Sequence, residues 1–239
     1  MKKYHNLQLK TKFRTKMPSK DIEKSLKDAS YDLKFLLNRG YRKKIALNFV
    51  ANKYLLDKNA RNYLARKVFS TLTSFNRIIK IVNISSINNK AIFIDGYNVL
   101  ITVESICNHE YSSIIMCDDG VLRDTNAIFG RYKINSQTEI ALINIINLLK
   151  HYHPKCVYFL YDSPVSKSGE LAKLTNSLLK NNKLKGNAVT NKNVDYELVK
   201  LVKNHDGIVA TSDGAVMDKI ENILDIPRGI CKKLLNNGF

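Results

Sequence analysis

Residues 91–100 read Ala-Ile-Phe-Ile-Asp-Gly-Tyr-Asn-Val-Leu, a short apolar run that stops on an aspartate. A run this short, rich in Ile and Phe and closed by Asp-Gly, predicts a strand over 91–95. The same arrangement recurs downstream: the apolar residues 156–161 close on Asp162, and 208–211 are followed by Ser212 and Asp213. Residues 114–117 and 188–190 are further strand candidates. Helical patterns fall between most of these runs. The clearest starts at Ser136, where Ser-Gln-Thr-Glu supplies a capping box, Ile140, Ile143, Ile146 and Leu149 form the stripe to be buried, and Pro154 closes the segment. Others are expected over 169–181, 194–203 and 214–222. Strands alternating with helices predict an α/β domain over 89–239, a parallel sheet with helices on both faces.

Upstream the pattern changes. Residues 1–17 are rich in Lys and Arg without periodicity and predict a flexible basic arm. Residues 18–88 predict a small all-α basic domain. Its first helix carries Ile22, Leu26, Ala29, Leu33, Leu36 and Leu37 at steps of three and four and ends at Gly40. A second helix is expected over 42–54 with Ile45, Phe49 and Val50 inward, and a third over 59–71 with Tyr63, Leu64 and Val68 inward. Arg42, Lys43, Lys44, Lys53, Arg61, Arg66 and Lys67 would share the outer surface, a candidate face for phosphate backbones.

The charge follows the same division. The 239 residues carry a formal net charge of +18. Residues 1–90 hold 22 Lys and Arg against 5 Asp and Glu, whereas residues 91–239 hold 17 against 16. A polyanionic partner suits the first part; the second is balanced and has carboxylates to use locally. Cys107, Cys117, Cys156 and Cys231 form no C-x-x-C pair, which fits reduced thiols in a cytoplasmic protein and argues against a zinc site. There is no apolar core behind the first charges and no apolar stretch of about 18 residues, so neither secretion nor membrane insertion is expected.

In open parallel sheets function collects beyond the carboxyl ends of the strands. Asp95, Asp162 and Asp213 stand at three such ends, and Asp195 lies in the first turn of the helix expected over 194–203. Taken singly, each could be a helix cap or a first-turn acid that favours the helix dipole. Together they would repel one another unless a divalent cation or a shared proton neutralises them. All-oxygen ligands suit Mg²⁺ or Mn²⁺, and that combination points to phosphodiester hydrolysis.

Four motifs carry a resemblance: Ile-Asp-Gly-Tyr-Asn-Val-Leu (94–100), Tyr-Asp-Ser-Pro (161–164), Val-Asp-Tyr-Glu-Leu (194–198) and Ala-Thr-Ser-Asp-Gly (210–214). They resemble the acidic stations of PIN-like nucleases, closest in flavour to the NYN branch. Leu-Asn-Arg-Gly-Tyr (37–41) and Leu-Ala-Arg-Lys (64–67) resemble the helical module of a largely archaeal family of unknown function that is fused to such a domain. The resemblance implies a metal-dependent endonuclease, acting on RNA by family analogy. A water activated by one or two Mg²⁺ or Mn²⁺ ions would attack phosphorus in line, leaving a 5′-phosphate and a 3′-hydroxyl. Asp95, Asp195 and Asp213 would be the central ligands, with Asp162 a ligand or an acid behind them and Asp218 an additional acid. Asn98 would orient Asp95 or its water, and Ser212 would touch phosphate or a ligand. Residues 104–130 match no motif of the family and leave a further acid open between Glu104 and Asp124.

Other chemistries lack their residues. Tyr97 stands where a haloacid dehalogenase-type phosphatase needs a second Asp, no glycine-rich phosphate cradle occurs, and no His pairs with an acid at metal spacing. The remaining rival is a PIN-like nucleic-acid-binding or ribonucleoprotein adaptor without catalysis, although all four acidic stations are retained. Homo-oligomerisation is left open.

Overall fold

The computed structural model describes residues 20–125 and 132–236; the basic arm expected over 1–17 lies outside the described residues. Along the chain run α1 (Lys20–Asn38), α2 (Lys43–Lys53), α3 (Lys58–Lys67), α4 (Thr71–Ile78), β1 (Ala91–Asp95), α5 (Gly96–Cys107), β2 (Ile114–Met116) and β3 (Leu122–Asp124). There follow α6 (Ser136–His151), β4 (Cys156–Asp162), α7 (Ser168–Asn181), β5 (Gly186–Asn191), α8 (Val194–Asn204), β6 (Gly207–Ala210), α9 (Gly214–Met217), β7 (Ile223–Leu224) and α10 (Ile226–Asn236). The described chain divides into two compact units, one of residues 20–79 and 110–125, the other of residues 80–109 and 132–236. No helix of the described residues is long and apolar enough to cross a membrane.

In the first unit α1, α2 and α3 enclose a small core of Ala29, Leu33, Ala46, Val50, Ala51, Leu56, Leu64 and Val68. The inward face of α2 differs from expectation. Ala46, Val50 and Ala51 are buried, whereas Ile45 and Phe49 are 61% and 64% exposed. Residues 46, 50 and 51 share one side of a 3.6-residue helix, and small side chains there permit close approach to α1. Hydrophobic size alone selects the other stripe. Phe49→Ser should therefore shift stability by less than about 0.5 kcal/mol, while Leu33→Ala should cost about 2–5 kcal/mol in urea unfolding. A comparable loss for both would return Phe49 to the core.

The expected third helix, over 59–71, ends four residues early, and a fourth helix that the sequence reading does not anticipate follows it. α3 stops at Lys67, Val68 is extended, and α4 starts afresh from Ser70, whose hydroxyl accepts from the Thr73 N–H at 3.1 Å. The segment expected as a sheet strand at 114–117 is instead one arm of a hairpin. β2 and β3 pair only with each other, antiparallel, around a turn in which Gly120 has φ +84°. Polar ties from the helices hold it: Lys34 to the Asp118 carboxylate at 3.1 Å, Arg77 to Asp119 at 2.9 Å, and Lys67 to the Met116 carbonyl at 3.2 Å. The first unit is thus helical with a hairpin added from within the later sequence.

The second unit is a five-stranded sheet, order β5-β4-β1-β6-β7, every pair parallel. Helices flank it, which is the α/β architecture that the strand–helix alternation predicts. Every residue of β1 is buried, as befits the central strand. α5 follows β1 without a loop, and the junction needs glycine: a Cβ on Gly96 would fall on the Tyr161 ring and 2.7 Å from the Leu160 carbonyl oxygen. The cap of α6 lies one residue earlier than expected. Asn135 accepts from Gln137 N–H at 2.8 Å, and the Thr138 hydroxyl accepts from Asn135 N–H at 3.1 Å. Its buried stripe is Ala141, Leu142, Ile145, Ile146, Leu148 and Leu149, with Ile140 turned outward at 44% exposure. The helix expected over 214–222 is only the single turn α9, because the chain leaves it to form β7.

Candidate active site

The parallel sheet places the carboxyl ends of its strands on one edge. From β1 the chain builds outward through β4 and β5, then returns to the other side of β1 for β6 and β7. The strand order reverses beside β1, and in open parallel sheets that reversal opens a crevice in which ligands bind. Asp95 is the last residue of β1 and Asp162 the last of β4, two residues beyond the Leu160 that pairs with Asp95. Asp195 lies in the first turn of α8, just after β5, and Asp213 caps α9, just after β6.

Four segments thereby bring four carboxylates within electrostatic reach. Asp95 is buried, and burial pushes its carboxyl up to about 7, with Asp195, Asp162 and Asp213 adding to the rise. A hydrogen bond from Thr211 Oγ1 at 2.8 Å works in the opposite direction. Burial raises Asp162 as well, reinforced by Asp195, and raises Asp195, reinforced by Asp213 and opposed by Lys219. Asp213 accepts from the Ala215 and Val216 N–H groups at 2.7 and 3.2 Å. It is a helix cap as well as a member of the cluster, so its structural and electrostatic roles coexist.

Thr211 is the residue that the strand-end reading passes over. Its hydroxyl donates to Asp95 and accepts from the Asp213 N–H at 3.0 Å, so one buried side chain ties two of the acids together. The only signal in the sequence is its place in Ala-Thr-Ser-Asp-Gly. Asn98 does not hold Asp95: its Oδ1 accepts from Ser212 N–H at 2.9 Å and from Ser212 Oγ at 2.5 Å, tying the start of α5 to the loop after β6. Asp218 is exposed, at the C-terminal end of the single turn α9. Glu104 is buried on α5 and accepts from the Tyr132 hydroxyl at 2.5 Å, which also meets Thr138 Oγ1 at 2.8 Å. That is a buried structural network. Asp124 belongs to the first unit, at the end of β3.

Residues 84–229 match the family described as a domain of unknown function, DUF5616, and span all four aspartates. The chain belongs to that family. Residues 25–78 match a second description, protein of unknown function DUF434. The uncharacterized protein MJ0935 of Methanocaldococcus jannaschii is 40% identical over 199 residues, covering 83% of this chain and 91% of that protein. No solved structure matches the chain.

Within this DUF5616 chain the seven basic residues expected on one outer face fall into two groups. Arg42 and Lys44 are exposed. The other five are engaged inside the DUF434 segment and the hairpin. Lys53 pairs with Asp32 at 2.6 Å, and Arg61 donates to the Leu56 carbonyl and to Asn52 Oδ1, each at 2.9 Å. Arg66 donates to the Asp124 carbonyl, Lys67 to that of Met116, and Lys43 lies over the Phe69 ring. Among the described residues no three His, Cys, Asp or Glu side chains are arranged to hold a metal ion as they stand. None of the four cysteines forms a disulfide.

Proposed function

We propose that this chain is a divalent-metal-dependent endonuclease that hydrolyses phosphodiester bonds, and that RNA is its substrate. The observation that carries the reading is the convergence of Asp95, Asp162, Asp195 and Asp213 beside the strand-order reversal, each of the first three held above its ordinary carboxyl range. Burial and mutual repulsion both disfavour the charged carboxylates, and a divalent cation relieves that cost. The donor set fits a hard ion. Mg²⁺ keeps several waters and needs only one or two protein carboxylates, so a closed cage of three is not required. Asp95, Asp195 and Asp213 would hold the ion, with Asp162 completing the negative rim. When bound, Mg²⁺ or Mn²⁺ supplies charge neutralisation for a phosphodiester and acidifies a water. The chain's own part is orientation: Thr211 fixes one oxygen of Asp95 and the backbone of Asp213, and Asn98 locks Ser212 beside them.

RNA as the substrate rests on the PIN-like resemblance of the strand-end motifs, and a cytoplasmic setting fits four cysteines outside any disulfide. The test is cleavage of a mixed pool of structured RNA and single-stranded DNA with added Mn²⁺. Asn caps a helix as well as Asp does, so Asp213→Asn preserves the fold while removing the charge. Cleavage should fall at least about 100-fold in that variant and disappear in chelator. Binding without cleavage in every condition would instead favour an adaptor that uses the acids only as caps.

A further inference from the structure

The two sides of α1 divide its apolar residues by kind. Leu26, Ala29, Leu33, Leu36 and Leu37 are buried or partly buried against the core of the first unit. The two aromatic residues of the helix are turned away from it: Tyr31 is 74% exposed and Phe35 51%. Four residues apart, they stand on one side of the helix, about 6 Å from each other along its axis. Arg39 continues the same line four residues further on, with its Cζ 5.2 Å from the centroid of the Phe35 ring. Aromatic side chains gain most from burial, so rings left in water on a helix that buries its leucines mark a contact surface.

The surface continues past the end of α1. Gly40 N–H donates to the Leu37 carbonyl at 3.1 Å and Tyr41 N–H to that of Leu36 at 3.2 Å, with Gly40 at φ +85°. This double closure is a Schellman end, and it fixes the turn. The turn presents Tyr41, 57% exposed, beside the exposed Arg42 and Lys44. Charge along the strip has one sign. No Asp or Glu occurs between residues 33 and 56. Asp32, which falls between the two rings in sequence, is taken by Lys53 Nζ at 2.6 Å and by the Tyr54 hydroxyl at 2.9 Å. Among the described residues no carboxylate pairs with Arg39, Arg42 or Lys44.

We propose that Tyr31, Phe35 and Tyr41, with Arg39, Arg42 and Lys44, form a platform for a single nucleic-acid strand, the rings stacking on unpaired bases and the cations lying against phosphates. A strand alternates flat apolar bases with negative phosphates, and this strip offers the complement of both. From residue 31 to 44 every exposed apolar side chain is a ring. An anionic membrane surface takes up aliphatic and aromatic side chains alike, whereas base stacking uses rings alone. A duplex keeps its bases stacked on one another and leaves the rings without a partner. The platform lies wholly in the first unit and does not require that the four aspartates be catalytic.

The test is fluorescence anisotropy of a labelled, unstructured single-stranded RNA with the full chain in chelator, so that binding is read apart from cleavage. Tyr31→Ala and Phe35→Ala should each weaken binding about 5- to 100-fold, and Tyr31→Phe, which keeps the ring, should bind as the wild type does. Arg42→Gln should lower the slope of log affinity against log salt by about 0.7, a slope that the ring variants leave unchanged. Leu55→Ala, at a 91% exposed aliphatic residue outside the strip, controls for the loss of apolar surface and should bind normally. All these side chains are exposed, so the thermal midpoints of the variants should stay with that of the wild type, which separates lost stacking from lost folding. The same sequence as DNA should show the same ring losses, and the tighter of the two strands is the preferred one. Ring variants that hold the single strand within about twofold of the wild type overturn the proposal. So does an equal loss on a duplex of that sequence, or a wild type that binds polyglutamate and not the strand.

Discussion

Asp119→Ala should lose about 3–5 kcal/mol of unfolding free energy, as much as removing a large side chain from the apolar core of the first unit. Asp119 is completely buried, and the two guanidinium groups that it accepts from, Arg77 and Arg123, are 5% and 7% exposed. Removing the carboxylate leaves two neighbouring cations out of water without the group that bridges them. Arg77 comes from α4 and Arg123 from β3, so the same carboxylate also fastens the hairpin to the helices. A loss of that size is a large part of the 5–15 kcal/mol that ordinary domains possess. The Lys34–Asp118 pair is the internal contrast: with side chains 41% and 22% exposed, Lys34→Met should cost no more than about 1 kcal/mol. Urea titrations of both variants provide the comparison. Should Asp119→Ala fail to fold, the combined replacement of Asp119, Arg77 and Arg123 by apolar residues should restore folding, since exchanging a whole buried ionic group is far milder than breaking it. An Asp119→Ala midpoint close to that of the wild type would refute the account.

Asp95→Asn should do two opposite things. On the proposed nuclease reading, cleavage should fall by about 10³ or more, because the variant removes a charge from the centre of the acidic cluster. Stability in chelator should rise at neutral pH. The sign follows from the direction of the shift: the folded carboxyl, raised from 3.8 to about 7, binds its proton more tightly than the unfolded one. The proton's contribution is therefore complete below about pH 4 and is lost as pH climbs through about 7. A displacement of that size corresponds to about 4 kcal/mol as an order of magnitude. Asn keeps an acceptor for Thr211 Oγ1 and cannot ionise, so its unfolding free energy should be flatter between pH 4 and 8 than that of the wild type. Divalent ions should stabilise the wild type more than the variant. Unchanged cleavage would remove Asp95 from the site, and an unchanged pH dependence would remove burial as the source of its shift.

Phe49 and Thr211 show where local reading succeeds and fails. The helical periodicity that places α2 is present in the sequence, yet the choice between the Ile45–Phe49 stripe and the Ala46–Val50–Ala51 stripe depends on how closely α1 approaches. The motif containing Thr211 is legible, but its role arises only when β6 lies beside β1 and brings its hydroxyl to Asp95. The basic residues behave likewise. Their number predicts a polyanionic partner, while their partners in space leave Arg42 and Lys44 outward and draw Lys43, Lys53, Arg61, Arg66 and Lys67 into contacts within the unit.

The sequence by itself determined the alternation of strand and helix, the helical character of the first part, the uneven charge and the aspartates at strand ends. Each of these is written in periods of two or 3.6 residues, or in the step from an apolar run to its first polar residue. Tertiary structure alone decided that residues 114–124 form a hairpin outside the sheet, that Glu104 is consumed by Tyr132, and that Asp119 gathers Arg77 and Arg123 around Phe69. The Glu104–Tyr132 and Arg77–Asp119 contacts join residues 28 and 42 positions apart, and chain periodicity carries no information over such a separation; only the packing of the folded chain selects them.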